Sequence, residues 1–317
     1  MNIIKLKSVI VFILGLCLLS GQAYAISSKA GTSGAQFLKI GAGSRAAGMA
    51  EAYTAVADDV YSGYYNPAGL TRMTAPEFAG QHVSYFQDTS YEFLSFAFPV
   101  DRQERYSRQA FGFSIYNLSV SDIERRTRDT DAAAGLFDAS SLAYALSYAY
   151  RLRENLGFGG NFKYVREKID TVSAGAVAFD LGAQYHPISD RPFDVGLSVR
   201  NMGGKLNYGQ GSDPLPMGVV LGLAYSFFPG FKTGVDFTKY RDTTMLFAVG
   251  SEYSREIMNQ LAGSLRFGYS THNKDVDGLN GICAGAGIKY ARMNFDFAWV
   301  PFGDLGNTFR YTLAVRF

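Results

Sequence analysis

His82 and Ser84 stand two residues apart, so on an extended strand both side chains leave the same face. A histidine within reach of a serine hydroxyl is the beginning of a nucleophilic hydrolase. No third group is marked in the sequence, and chance pairs of this kind are common, so the expectation is that the chain is not an enzyme. Asn273, Asp275, Asp277 and Gly278 follow the opening of a calcium loop, but its twelfth position, which needs a bidentate glutamate, is Ala284. A polar hairpin without a metal is the expectation there. Arg125, Arg126 and Arg128 could meet lipopolysaccharide phosphates; Asp129 and Asp131 beside them favour a solvated mixed-charge loop. His186, next to Pro187, reads as structural. No glycine-rich phosphate cradle, Cys/His metal set or redox pair is present in the sequence, so no cofactor is expected.

The 317 residues are 47% hydrophobic, 15% aromatic and only 18% charged, where soluble domains carry about 25% charged residues. A formal net charge of +2 argues against a nucleic-acid partner. Lys5 and Lys7, an apolar run from Val9 to Leu19 and the Ala23-Tyr24-Ala25 site read as a signal peptide over 1–25, cleaved after Ala25. The run is too short for a spanning helix. A lipoprotein reading through Cys17 is weak, because Leu16 is bulky where such signals are small. Cleavage leaves 28 basic residues against 28 acids and one thiol, Cys283, which has no partner for a disulfide.

Beyond the signal, hydrophobicity alternates with a period of two. In 140–150, Leu142, Tyr144, Leu146, Tyr148 and Tyr150 share one face; Ala143, Ala145, Ser147 and Ala149 share the other. The large face is apolar and the small one nearly neutral, the reverse of a soluble sandwich. Lipid can receive large apolar side chains, but open backbone groups have no partner there, so such strands must close into a barrel. Fourteen segments read this way: 76–86, 91–98, 109–118, 140–150, 156–167, 174–185, 193–201, 216–227, 231–239, 244–253, 261–270, 282–290, 293–300 and 308–317. The fold expected is an all-β, fourteen-stranded antiparallel transmembrane barrel over 76–317. Both barrel ends would lie in the periplasm, with the longer connections outside. Tyr148, Tyr150, Tyr225, Tyr269, Tyr290 and Trp299 fall near strand ends, as an interfacial girdle requires.

The same register turns Arg200, Arg266, Arg310 and Arg316 inward, with Asp180, Asp236, Glu252 and Asp296. Mutual pairing inside a filled lumen is expected rather than an ion path. The last strand ends in Tyr311, Leu313, Val315 and Phe317, a pattern similar to the signal read by the outer-membrane assembly machinery.

Residues 26–75 do not alternate. Ser44 to Asp59 reads as a slim helix capped by Ser44, with Met49, Tyr53, Val56 and Val60 on one stripe. It could lie in the lumen or cap the mouth. Asp58 and Asp59 at its end oppose the helix dipole and call for a lumen arginine. Asn66-Pro67-Ala68-Gly69 is a tight-turn sequence before the first strand.

The stretch Gly34–Gly41, then Gly43–Met49, Ala52–Asp59 and Asn66–Leu70 resembles the N-terminal signature of the PorV/PorQ family, within the FadL-like superfamily of long-chain fatty-acid transporters. The resemblance covers about residues 31–73. It implies a fourteen-stranded outer-membrane barrel whose N-terminal segment is a hatch, with Asn66, Pro67 and Ala68 on the hatch motif. It implies two functions: binding or passing hydrophobic, fatty-acid-like molecules, or, as in PorV, serving type IX secretion by binding cargo or translocon proteins through outer loops 119–139 and 202–215. The first is the leading expectation, because it needs no partner that the sequence fails to reveal. The outer loops lack large apolar insertions, which puts a deep capture groove in doubt.

Overall fold

The computed structural model describes residues 27–86, 88–101, 107–126, 128–129, 133–187, 192–209, 211–272 and 280–317. The signal peptide and the calcium-like stretch Asn273–Gly278 lie outside the described residues, as does Asp131.

Seven strands come first: β1 Glu77–Ser84, β2 Thr89–Pro99, β3 Gln109–Arg125, β4 Gly135–Arg153, β5 Leu156–Ile169, β6 Val172–Tyr185 and β7 Phe193–Gly203. A small hairpin follows, β8 Lys205–Asn207 and β9 Ser212–Pro214. Seven more are β10 Gly218–Phe228, β11 Phe231–Tyr240, β12 Met245–Met258, β13 Leu261–Ser270, β14 Ile282–Tyr290, β15 Met293–Pro301 and β16 Asn307–Arg316. All but the small hairpin form one closed antiparallel barrel, sealed where β1 pairs with β16 from Glu77↔Arg316 to Ser84↔Phe309. Each expected strand coincides with one of these. β3 and β4 run on into the loop expected at 119–139, past an irregularity between Val120 and Ile123.

The alternation is the cause of the closure. On β6, Leu181 is 58% exposed and its neighbour Asp180 1%. Outward rows such as Phe162, Phe179, Phe295 and Leu313 are exposed, while the inward rows of alanine, glycine, serine and ions are buried. In water such an exterior would aggregate; in acyl chains it costs nothing.

Pro76 and Phe317 meet at one rim, joined by the Phe317 amide donating to the Pro76 carbonyl at 3.0 Å. Four turns at this C-terminal rim are two residues long. The opposite, loop rim carries the longer connections, including the β8–β9 hairpin. That hairpin folds inward: Leu206 is fully buried and the Gly34 amide donates to Pro214 at 3.0 Å.

Residues 27–75 thread the barrel from the loop rim to the C-terminal rim. The chain entering β1 is at the expected end, but the N-terminal segment starts at the opposite mouth. It contains a 3-10 turn Gln36–Lys39, α1 Ser44–Gly48, α2 Ser62–Tyr65 and a 3-10 helix Pro67–Arg72. The expected helix Ser44–Asp59 is therefore cut to its first five residues, and Gly43, not Ser44, holds the cap position. Ala50 and Glu51 take φ of 52° and 64°, which ends the helix. A continued helix would spend its carbonyls internally and be about 10–12 Å wide; here the carbonyls of Met49, Ala52 and Thr54 lie against the wall instead. Met49, Tyr53, Val56 and Val60 are all buried, though not as one stripe.

That contact rests on missing side chains. A Cβ on Gly268 would stand 2.6 Å from the Met49 carbonyl carbon, and one on Gly159 2.5 Å from that of Pro67. Gly182, Gly196, Gly222, Gly234, Gly250 and Gly285 meet the plug in the same way, so eight neighbouring strands, β5–β7 and β10–β14, each give one such position. Gly250→Val should cost at least the 1–3 kcal/mol, roughly, of an overpacked core. Gly211→Ala, in open space, should cost nothing measurable. The temperature at which the folded barrel loses its gel mobility, compared for the two variants, checks this.

Candidate functional site

The motif Asn66-Pro67-Ala68 sits where the plug crosses β5, β6 and β7. Pro67 opens the 3-10 helix, where its missing N–H is no loss, and the Asn66 side chain accepts from the Ala68 amide at 3.2 Å. Asn66 Nδ2 donates to the carbonyls of Ala183 at 2.9 Å and Thr54 at 3.1 Å. One fully buried side chain thus ties the plug to the wall and to itself. Gly69 packs on the Ala57 carbonyl.

Asp58 and Asp59 find an arginine, but not on the wall. The plug's own Arg45 reaches Asp58 at 2.6 Å, Asp59 at 3.1 Å and the wall's Glu252 at 2.8 Å. Arg45 lies in the one turn of the expected helix that survives, so local folding places it, and nothing in the sequence marks the pairing. Burial alone would raise the Asp58 carboxyl, yet Arg45, with Arg72 and Lys232 beyond it, holds it below the usual range. Tyr53 Oη donates to Asp59 at 2.6 Å.

The inward charges divide into pairs and plug anchors. Arg266 binds Glu252 and Asp296, each at 2.6 Å, all three buried. Arg310 binds Glu51 at 3.2 Å and the Gly41 carbonyl at 3.2 Å. Asp236 pairs with no arginine; it accepts the amides of Tyr53 at 3.2 Å and Thr54 at 3.0 Å. Arg200 lies over the rings of Tyr64 and Tyr65 and donates to Thr54 Oγ1 at 3.1 Å. Asp180 takes Lys163 at 2.6 Å, Asn161 at 2.6 Å and the amide of Asn201 at 2.7 Å, where β7 bulges. Arg316 is half exposed at the rim and binds Glu77 at 2.7 Å. Arg45, Glu51 and Lys163 were missed. The inward register of β5 marks Asn161 and Lys163; nothing marks the other two.

Two cavities flank the plug among the described residues. One, about 370 Å³, opens at the loop rim. Its walls include Ile40, Ala50, Leu246, Cys283, Val300 and Phe302, with the Glu51–Arg310 pair at its base. Lys39 bridges it to Asp242 at 2.7 Å, helped by Gln36 at 2.8 Å. The other, about 470 Å³, opens at the C-terminal rim and is polar, with Arg45, Asp58, Arg72 and Arg266 among its walls.

His82 Nε2 is 3.1 Å from Ser84 Oγ, and His82 Nδ1 is 2.7 Å from Glu92. The three stand exposed on the outer wall near the loop rim. β1 is paired on both edges along its whole length, so its amides are committed to ladders and cannot form an oxyanion hole. His186 binds Asp194 at 2.8 Å in its turn. Arg125 is paired with Asp170 at 2.6 Å.

A closed fourteen-stranded barrel, apolar outside and with its N-terminal segment packed inside, is the fold of an outer-membrane protein. A family model described as type IX secretion system protein PorV matches residues 24–238, and the chain belongs to that family. A search of curated proteins found no match. Among solved structures it is similar to the Ralstonia pickettii toluene transporter TbuX (14% identity, TM-score 0.60, 87% of this chain and 98% of that one). It is also similar to a Pseudomonas aeruginosa FadL homologue (14%, 0.55, 93% and 99%) and to the Pseudomonas putida toluene transporter TodX (12%, 0.53, 80% and 91%). These likenesses are likenesses of fold.

Arg266→Ala would leave Glu252 partly and Asp296 wholly without a counter-charge, a loss of about 3–5 kcal/mol. Arg126→Ala, at the exposed Glu124 pair, should lose at most about 1 kcal/mol. Thermal melting of the two folded barrels compares them. The Asp242 carboxyl is disfavoured by burial but held below its usual range by Lys39 and Gln36. Its stabilisation is full above the unfolded value near ~3.9 and is lost as pH falls through the lower folded one. Protection of residues 27–39 against hydrogen exchange, corrected for the intrinsic rate at each pH, should therefore fall in acid, and Asp242→Asn should show that lower protection already at neutral pH.

Proposed function

We propose that the protein binds hydrophobic small molecules in the loop-rim cavity and passes them inward when the plug shifts at Asn66–Ala68. The single observation that carries this reading is a cavity at the mouth, walled in part by Ile40, Leu246, Val300 and Phe302, whose floor is the plug itself, at Ala47 and Ala50. In the orientation expected of such barrels the loop rim faces the cell exterior and the C-terminal rim the periplasm. The proteins of similar fold include two toluene transporters, which agrees with a ligand of this class. Lys39 and Asp242 span the entrance, and Arg310 with Glu51 offers a polar end for an amphiphile such as a fatty acid.

Val300 faces this cavity. Val300→Trp should fill it and weaken binding of radiolabelled oleate about tenfold or more, while the folded barrel persists. Equal binding in the variant would contradict the reading. Cys283 lines the same cavity, so bound ligand should also slow its reaction with a small thiol reagent.

A second reading rests on the PorV family match: a barrel that holds secretion cargo or a translocon subunit at the loop rim. The β3–β4 hairpin, extended beyond its expected length, would be the contact. Under this reading a large secretion protein copurifies in mild detergent, and Val300→Trp leaves that association intact. The last residues, Tyr311, Leu313, Val315 and Phe317, are assigned here to recognition by the assembly machinery, since they close the barrel seam at the rim.

A further inference from the structure

The cavity at the C-terminal rim has no part in the transport reading, which concerns the opposite mouth. Its charge balance is uneven. Its acids are committed: Asp58 and Asp59 to Arg45, Glu252 to Arg45 and Arg266, and Glu77 to Arg316. Three other cations line it, Arg72, Lys289 and Arg292. None of the three makes an ion pair among the described residues.

Arg72 is the sharpest case. It ends the 3-10 helix that begins at Pro67, so the plug aims it at this rim. Its Nε and Nη1 are shut off from solvent and have no hydrogen-bond partner. A buried guanidinium donor left unpaired costs more than an ordinary lost hydrogen bond. A guanidinium with donors to spare is the kind of cation whose N–H groups an oxyanion accepts. Lys289 and Arg292 are exposed on β14 and in the β14–β15 turn, where they would meet the same anion from the rim.

We propose that this cavity is a binding site for a phosphate-type oxyanion, held by Arg72 with Lys289 and Arg292. About 470 Å³ is room for inorganic phosphate with its water, or for the phosphoglycerol headgroup of an anionic phospholipid from the adjoining leaflet. Both sources present the same chemistry to the three cations. Such an anion would complete the charge balance under the plug, next to the Arg45 knot.

The test uses the full-length processed barrel, purified without phosphate. In one arm inorganic phosphate is titrated by calorimetry. In the other the barrel is placed in nanodiscs of phosphatidylcholine with or without phosphatidylglycerol, and retained lipid is counted by native mass spectrometry. Saturable phosphate binding, or selective retention of phosphatidylglycerol, is the expected result, weakened about tenfold or more in Arg72→Gln. Arg292→Gln, at the exposed rim, should weaken it too and guards against a folding defect at Arg72. Arg108→Gln, stacked on Tyr150 outside this cavity, should leave it unchanged. Phosphate without lipid retention identifies a free anion, and lipid retention without phosphate identifies a headgroup. Absence of both in the wild type, or binding that both cavity variants leave intact, would overturn the proposal.

Discussion

Eight neighbouring strands carry a glycine where any other residue would place a carbon into the plug. This steric constraint organises the rest. Because the wall recedes at those positions, the plug can press its own carbonyls and the Asn66–Pro67 turn against it rather than coiling into a helix. Because the plug is not a continuous helix, its Thr54 amide needs an external acceptor, and Asp236 supplies it. Close packing of this kind fills the middle of the barrel among the described residues and leaves a vestibule at each rim.

Charges in such an interior are costly unless paired. The Arg45–Asp58–Asp59–Glu252–Arg266–Asp296 chain answers that cost in one connected network, and it joins plug to wall at the same time. A motion that withdrew the plug here would strand several ions at once. The Asn66 end is held instead by neutral hydrogen bonds, three of them from one amide nitrogen. The physical asymmetry between an ionic anchor and a neutral one is the reason for placing a shift of the plug at Asn66–Ala68 rather than at Arg45.

The barrel was legible because its signal is a property of single strands: a bulky row facing lipid and a small row facing in repeat fourteen times, and strand number and closure follow. The inward ions on β6, β11, β12, β13 and β15 followed from the same register. What stayed hidden was the plug's path. Its composition, small and alanine-rich, suits a helix, but the contacts that decide its shape come from glycines far along the chain, such as Gly250 and Gly268 against Met49. For the same reason the partner of Asp58 was sought on the wall and proved to be Arg45, and the roles of Glu51 and Arg72 had no local mark. The two-residue spacing of His82 and Ser84 was real geometry, with Glu92 added by β2 on the outer wall.

Ion conductance tests the wedged plug most directly. Purified barrel inserted into a planar bilayer should carry no steady ohmic current, since the plug backbone presses directly on the glycine-lined wall. Stable, regular conductance steps from the wild-type protein would contradict the account.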